Sequence, residues 1–411
     1  MPTRYNAAAM HLCVVSPFPP ELTGVGQYGW SIVRGLAGRD GFQTITVLAQ
    51  QSAEPEPADA ALPAGMVRIR RAWARDDYVS AMQLAQRVRA ERPDVAWFNL
   101  GYTVFGASRA VNFLGLLAPF VANRLGIPTV VTLHQVFEVT PPRSVGAKNG
   151  YLTTLGARAA TQLLLRAGTL CVTLGRYKSA LQTHYGAGNV HHIPHGAYVA
   201  LEELPYPGDP PEDILFFGSL APFKGLSTLL EAFERLRPQR PQATLTIAGS
   251  EHPRFPGYAE SLRRDMLARN GAGPQGVRWL GARPESELRG LFAQTRVVAL
   301  PYLATTGASS VLYRAVTYGR PVVASDLVDL RMATEEDGLS IDYVPPADSG
   351  ALAATLERLL ADPARQADLA RHNLHVMRGM TLEHTCARYL RLFELARDER
   401  RVRAAARSQL V

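Results

Sequence analysis

Cysteine is scarce in this chain, with 3 cysteines among 411 residues, at the scattered positions Cys13, Cys171 and Cys386. An odd and widely spaced set fits neither a disulfide framework nor the paired ligand spacing of a zinc site. His191 and His192 are followed closely by His195, but adjacent residues of an extended chain face opposite sides, so these histidines do not predict a metal site. We therefore expect reduced, buried thiols and no bound metal.

Long apolar runs are also missing from the sequence. The most apolar stretch, residues 113–122, is about half the roughly 20 residues that a membrane-spanning helix needs. The first ten residues contain an arginine but lack the apolar core and small-residue cleavage site of a secretory signal. We therefore expect a cytoplasmic protein, and peripheral contact with the inner membrane face stays open.

The chain has only a small excess of positive charge. Lys and Arg total 44 against 36 Asp and Glu, a formal net charge of +8, and no zinc-finger, RNA-binding or heptad pattern accompanies it. We therefore expect no nucleic-acid partner. A solvated helix face and a surface for anionic membranes are both open interpretations of the C-terminal arginines, which are Arg397, Arg400, Arg401, Arg403 and Arg407.

The chain does contain a regular alternation of short apolar strands and amphipathic helices. A segment rich in proline, residues 204–211, interrupts this alternation and marks a domain boundary. Strands are predicted on both sides of it, at residues 10–16, 44–49, 94–99, 127–134, 169–173, 190–193, 214–217, 243–248, 277–280, 297–300 and 321–324. The pattern predicts two doubly wound α/β domains, which would bind a ligand in a shared cleft at the carboxyl ends of their strands.

Small or basic residues occupy several predicted loops between a strand and a helix. Gly24, Val25 and Gly26 precede the first helix, where free N–H groups favour a phosphate, although a tight turn that needs glycine is the alternative. Residues 216–225 place Lys224 before another helix, and an ammonium there suits a diphosphate. Residues 306–310 bring hydroxyl groups to a third helix start.

The order of these segments resembles the retaining GT-B glycosyltransferases of the family 4 type over nearly the whole chain. The likeness rests on the Gly-Val-Gly loop, on the strand that ends in His134, and on residues 193–196, 218–225, 248–250, 280–288 and 318–326. It implies two Rossmann-like domains facing across a cleft, with the acceptor on residues 1–200, a linker at 201–212 and the donor on 213–381. It also implies that a helix in residues 382–411 crosses back to the first domain.

The resemblance further implies transfer of a sugar from a nucleotide-sugar donor to an acceptor hydroxyl, with retention of anomeric configuration and without a metal or other cofactor. His134 would lie beside the transferred sugar and Lys224 at the donor diphosphate, and these two are the expected catalytic residues. Three classes of acceptor stay open, namely a glycan, a lipid-linked molecule and a small molecule. The implied donor site comprises Gly24, Val25, Gly26, Gly218, Ser219, Lys224, Gly249, Ser250, Thr306, Gly307, Ala308, Ser309, Ser310 and Arg314.

Three positions depart from the pattern of that family. An arginine of the family falls on Ser219, and two glutamates separated by seven residues fall on Thr306 and Arg314. We expect either that Arg314 contacts a phosphate or base edge, with Ser309 or Ser310 at the sugar, or that Arg314 is a surface residue. The departures leave two alternatives to transfer, an inactive glycosyltransferase-like partner or regulator and a GT-B sugar-nucleotide epimerase.

Overall fold

The computed structural model describes residues 9–20, 23–52, 62–63, 65–139, 150–198, 210–252, 254–270, 275–305 and 307–408. The chain divides into two compact units, of which the first comprises Met1–Pro194 with Leu382–Val411 and the second His195–Thr381. Thr306 and residues 201–209 of the predicted linker lie outside the described residues.

The first unit is built on a sheet of parallel strands. Its strands are β1 (Met10–Val15), β2 (Phe42–Gln50), β3 (Val67–Trp73), β4 (Val95–Leu100), β5 (Thr129–Leu133), β6 (Thr169–Val172) and β7 (Val190–His192). They pair in the order β3-β2-β1-β4-β5-β6-β7. β4, β5 and β6 are buried along their whole length, as expected for parallel strands that helices cover on both faces.

Helices connect these strands as the alternation predicts. They are α1 (Gly24–Ala37), α2 (Tyr78–Ala90), α3 (Arg109–Arg124), α4 (Gly150–Leu165) and α5 (Gly175–Tyr185). The apolar α3 turns a face with Val111, Leu116 and Ala122 inward and packs on α2 and α4, so it is a crossover helix of this unit. β3 is absent from the predicted strands because it lies at the sheet edge, where Arg68 and Arg70 alternate with apolar residues.

The second unit repeats the arrangement with a sheet of six parallel strands. The strands β8 (Asp213–Phe217), β9 (Thr244–Ala248), β10 (Val277–Gly281), β11 (Val297–Leu300), β12 (Val322–Ser325) and β13 (Asp342–Val344) pair in the order β10-β9-β8-β11-β12-β13. The helices are α6 (Leu226–Leu236), α7 (Tyr258–Asn270), α8 (Glu285–Ala293), α9 (Ser310–Thr317), α10 (Val328–Asp337), α11 (Ser349–Ala361) and α12 (Pro363–Arg378). The predicted fold of two Rossmann-like domains is thereby confirmed.

A long final helix, α13 (Leu382–Ser408), returns to the first unit and packs on α1, β4 and β5, which confirms the predicted crossing. Tyr389 anchors it, because the buried Tyr389 hydroxyl lies 3.0 Å from both the Tyr28 hydroxyl and Thr132 Oγ1. The three cysteines are free and buried as expected. Arg397 is only 7% exposed, so the interpretation of the arginine run as a solvated face is wrong for this residue.

None of the helices within the described residues is both apolar and long enough to cross a membrane.

We expect Tyr389→Phe to destabilise the first unit by about 1–3 kcal/mol, because the buried Tyr28 and Thr132 hydroxyls lose a hydrogen-bond partner. Urea unfolding followed by tryptophan fluorescence measures this change, since the ring of Trp97 lies 5.1 Å from that of Tyr389. Val402→Ala is the control, because Val402 lies on the same helix and is 70% exposed. An unfolding midpoint of Tyr389→Phe equal to that of the control would contradict the anchoring role.

Candidate functional site

The Gly-Val-Gly loop of the first unit is fastened to the end of β4. Thr23 caps α1 by accepting a hydrogen bond from the Gly26 amide at 3.0 Å. Asn99, near the carboxyl end of β4, donates through Nδ2 to the Val25 carbonyl at 2.8 Å and to Ser16 Oγ at 2.9 Å. Gly24 remains exposed while Gly26 is buried. The loop therefore presents the N-terminus of α1 in a fixed position, as an anion site requires.

His134 directly follows β5 and meets the same asparagine. Its Nε2 lies 2.7 Å from Asn99 Oδ1, and its ring contacts the ring of Tyr28 edge to face at 4.8 Å. Part of His134 is accessible to solvent, yet burial of the ring lowers its pKa to about 4. His134 is therefore neutral at physiological pH.

The orientation of Asn99 also decides which nitrogen of His134 carries the proton. The Val25 carbonyl only accepts hydrogen bonds, so the atom of Asn99 that faces it is the amide nitrogen. The amide oxygen then faces His134 Nε2, which must donate the proton. Nδ1 of His134 is left as a hydrogen-bond acceptor. Asn99 is not among the residues predicted from the sequence, although a polar residue at the end of an otherwise apolar buried strand signals it.

In the second unit, backbone hydrogen bonds join the first residues after β8 and β9 to the last residues of the neighbouring strands β9 and β10. The Gly218 amide donates to the Ala248 carbonyl at 3.0 Å, and the Gly249 amide donates to the Gly281 carbonyl at 2.8 Å. Gly249 has a φ of +151°, and a Cβ on this residue would overlap the Gly218 carbonyl oxygen. Ser219 is half-buried and Ser250 is exposed. The close backbone approach explains why glycine is needed at position 249.

Lys224 ends a short 3-10 helix, Pro222–Lys224, that leads into α6. Its Nζ lies 3.8 Å from the centre of the Tyr302 ring, a cation–π contact that holds the ammonium in place. Across the described part of the chain, no carboxylate forms an ion pair with Lys224, and the side chain is partly exposed. Its positive charge is therefore available to an anion.

Side-chain hydrogen bonds hold the start of α9. Ser309 caps the helix by accepting from the Leu312 amide at 3.4 Å, and its buried hydroxyl lies 3.3 Å from the Tyr302 hydroxyl. Asp329 accepts from the Gly307 amide at 3.1 Å. Ala308 and Ser310 are half-buried beside it. The Ser309 hydroxyl is thus engaged in capping, and Thr306, predicted at this loop, lies outside the described residues.

Arg314 does not lie on the surface. Its side chain is fully buried and forms a bidentate ion pair with Glu285, with distances of 2.6 Å from Nη1 to Oε1 and 2.9 Å from Nη2 to Oε2. The Tyr198 ring lies 4.1 Å from the guanidinium carbon. The expectation of a surface residue is therefore wrong. Glu285 and Tyr198 are absent from the predicted site because sequence spacing alone does not show this pairing.

A cavity of about 250 Å³ opens beside these loops of the second unit. Gly249 and Gly281 border it, and Trp279 forms part of its wall. The guanidinium of Arg263, on α7, lies over the Trp279 ring at 4.6 Å. The Trp279 ring and the backbone of Gly249 and Gly281 thus border a half-open hollow between α7 and the strand ends.

The described residues contain no group of three or more His, Cys, Asp or Glu side chains arranged to hold a metal ion. His195 belongs to the second unit, where its ring stacks on Tyr313 at 4.7 Å, whereas His191 and His192 belong to the first unit. His195 and the other two histidines thus belong to different compact units. The absence of a metal requirement stays a prediction from sequence.

Comparison with known proteins places the chain in a family. Residues 22–200 match the sequence profile Glycosyltransferase Family 4, and residues 211–362 match the profile Glycosyl transferases group 1. The chain therefore belongs to the GT-B glycosyltransferases of the family 4 type.

Individual relatives agree with this assignment. The chain is 26% identical, over 88% of its length and 91% of the relative's, to a GDP-mannose-dependent monoacylated alpha-(1-6)-phosphatidylinositol monomannoside mannosyltransferase of Corynebacterium glutamicum. It is 24% identical to a D-inositol 3-phosphate glycosyltransferase of Rhodococcus jostii, over 74% and 68% of the two chains.

Solved structures share the fold. The chain aligns with sucrose-phosphate synthase from Thermosynechococcus elongatus with a TM-score of 0.71 and 18% identity, over 94% and 98% of the two chains. It aligns with Anabaena HepE in complex with UDP-glucose with a TM-score of 0.68 and 18% identity, over 93% and 99%.

We expect ¹⁵N NMR to show His134 protonated on Nε2 alone and titrating near a pKa of about 4, because burial opposes the imidazolium. Asn99→Asp should raise this pKa, since a carboxylate beside Nε2 favours the charged ring. Asn189→Asp is the matched control, because Asn189 lies before β7 in the same unit and bonds backbone carbonyls there. A proton on Nδ1, or a wild-type pKa near the ordinary value, would contradict the assignment.

Proposed function

We propose that this protein transfers a sugar from a nucleoside-diphosphate sugar to an acceptor hydroxyl, with retention of anomeric configuration and without a metal cofactor. The observation that carries the proposal is Lys224. Its ammonium is fixed over the Tyr302 ring, has no carboxylate partner among the described residues, and stands where α6 begins. A fixed cation at such a place stabilises the negative charge that develops on a diphosphate leaving group.

The glycine loops of the second unit support this role for Lys224. Gly218 and Gly249 bring the ends of β8 and β9 together without side chains, so that a phosphate can approach the backbone closely. Basic side chains and backbone amides of this kind neutralise a diphosphate without a metal ion. In the first unit, the N-terminus of α1 at Gly24 and Gly26 is likewise proposed to suit a phosphate.

His134 of the first unit is proposed to lie beside the transferred sugar. As a neutral imidazole with a free acceptor at Nδ1, it suits a hydrogen bond from a sugar hydroxyl. A charged ring at this position would disfavour the positive charge that develops on the sugar during transfer. The depressed pKa of His134 therefore fits the chemistry.

The relatives suggest which donors to test first. The Corynebacterium relative is named for GDP-mannose, and the Anabaena structure contains UDP-glucose. Both are nucleoside-diphosphate hexoses, so we propose a hexose donor and leave the base to experiment.

For the acceptor, we propose a lipid-linked molecule reached by peripheral contact with a membrane. The N-terminal end of α2 exposes the apolar side chains Tyr78, Val79 and Met82, with exposures of 51%, 59% and 67%. Three large apolar groups on adjacent turns suit insertion into a lipid surface.

We expect the wild type to co-sediment with phosphatidylglycerol vesicles and the variant Val79→Ser/Met82→Ser to lose this binding. If the variant sediments with the vesicles as much as the wild type does, the proposed contact is rejected.

We expect Lys224→Ala to weaken binding of UDP or GDP by roughly 10- to 100-fold, because a charge-assisted contact with a diphosphate contributes about 1.5–3 kcal/mol. Isothermal titration of the purified protein measures the affinity. Lys178→Ala is the control, since it removes the same charge from α5 of the first unit. If both variants bind as tightly as the wild type, Lys224 has no part in the donor site.

The decisive experiment is a transfer assay with UDP-glucose and GDP-mannose, with the product's anomeric configuration determined by ¹H NMR, with and without EDTA. Transfer with retention in the presence of EDTA supports the proposal. His134→Ala should reduce transfer far more than nucleotide affinity. Nucleotide binding without turnover would favour the inactive partner, and an epimerised nucleotide sugar formed without any acceptor would favour the epimerase.

A further inference from the structure

Two contacts orient the ring of His134. Asn99 Oδ1 lies 2.7 Å from Nε2 of His134, and a single hydrogen bond of this kind fixes one atom of the ring but not the plane of the ring. Tyr28 restricts the plane, because its ring meets that of His134 edge to face at 4.8 Å, with an angle of 80° between the two planes. The orientation of His134 therefore depends on the position of Tyr28.

Tyr28 is itself held by the final helix of the chain. It is only 1% exposed, and its hydroxyl lies 3.0 Å from the hydroxyl of Tyr389 on α13. The Tyr389 hydroxyl also lies 3.0 Å from Thr132 Oγ1. Thr132 Oγ1 in turn accepts a hydrogen bond from Trp97 Nε1 at 2.9 Å. Tyr389 thus links Tyr28 to two strands of the sheet.

The same two strands carry the site residues. Trp97 precedes Asn99 by two residues on β4, and Thr132 precedes His134 by two residues along β5. The His134 amide continues the strand pairing by donating to the Leu100 carbonyl at 3.1 Å. Residues two apart on a strand lie on the same face of the sheet. Each of the two site residues therefore has a member of the Tyr389 network one step below it on the same face.

The first helix, α1, packs closely on both sides of this network. A Cβ on Gly35 of α1 would lie 2.6 Å from Cys386 Sγ of α13, and a Cβ on Gly29 would lie 2.8 Å from Asn99 Nδ2. Two glycines thus let α1 touch α13 on one side and Asn99 on the other. Because a close-packed interior transmits strain, a displacement of α13 is passed to the residues around His134.

We propose that the final helix α13 orients His134 through Tyr389 and Tyr28. Both tyrosines are positioning residues, since exposures of 0% and 1% keep them from touching a substrate. The catalytic meaning of this coupling rests on the proposed function, in which His134 lies beside the transferred sugar. Lys224 belongs to the second unit, whereas α13 packs on the first. The coupling should therefore affect the transfer step and not the binding of the nucleotide.

The test measures the pKa of His134 by ¹⁵N NMR in variants of the two tyrosines. Tyr28→Leu should raise this pKa from about 4 toward its ordinary value, because water then reaches the ring. Tyr389→Phe should raise it as well, but less, because the Tyr28 ring stays in place and loses only its anchor. Tyr28→Phe should match Tyr389→Phe. The double variant Tyr28→Phe/Tyr389→Phe should show no larger rise, since both changes act through one hydrogen bond.

Leu84→Ala is the matched control. Leu84 is buried on α2 of the same unit and lies outside the core cluster that contains both tyrosines. Its truncation therefore destabilises the unit without reaching the network. Thermal unfolding shows which variants remain folded. A folded Tyr389→Phe variant with the wild-type pKa at His134, or an equal rise in Leu84→Ala, overturns the proposal.

Turnover separates this coupling from the proposed function. Hydrolysis of UDP-glucose or GDP-mannose is transfer to water and needs no acceptor. We expect Tyr28→Leu to slow it about tenfold or more, because a displaced group loses its alignment with the sugar, and to leave the affinity for UDP and GDP unchanged. A wild-type hydrolysis rate in Tyr28→Leu, despite a raised pKa of His134, overturns the catalytic role of the coupling. A wild type that binds neither UDP nor GDP overturns the proposed function and leaves the effect of the tyrosines on His134 intact.

Discussion

Burial of parallel strands on both faces is the constraint on which the rest of the structure depends. β4, β5 and β6 have no exposed residue, so polar side chains in this part of the sheet concentrate where the strands end. Asn99 and His134 stand at the carboxyl ends of β4 and β5, which pair in register. In the second unit the same constraint brings Gly218 and Gly249 together. A parallel sheet that is covered on both faces thus places its functional residues at the carboxyl ends of its strands.

The two cations assigned to the second unit illustrate how environment decides the role of a charge. Lys224 is held by an aromatic face, keeps contact with solvent and has no acidic partner among the described residues. Arg314 is enclosed, and a buried guanidinium without a counter-ion would cost several kcal/mol. Glu285 offsets that cost with two charge-assisted hydrogen bonds. The charge of Lys224 is therefore available to a ligand, whereas the charge of Arg314 is neutralised within the protein by Glu285.

Sequence reasoning predicted most of the fold, because strand and helix periods depend on local apolar spacing. It located β5 and α13 to within a few residues and placed Lys224 before a helix. It missed β3, whose arginines obscure the apolar pattern. It also missed Asn99 and Glu285, because their importance arises from neighbours that lie 35 and 29 residues away along the chain. The residue spacing on which sequence reasoning depends describes a single segment of the chain, whereas a site is built from several segments.

The coupling between positions 285 and 314 changes the meaning of the departure from the family pattern. A glutamate at position 314 would replace the guanidinium that now faces Glu285 at 2.6 Å. Two carboxylates in that enclosed space repel each other, and one of them would have to be protonated. The family residue would therefore leave Glu285 without the counter-ion that holds it in its present position. Arg314 and Glu285 form one unit of charge and hydrogen bonding, and a change at either position has meaning only together with the other.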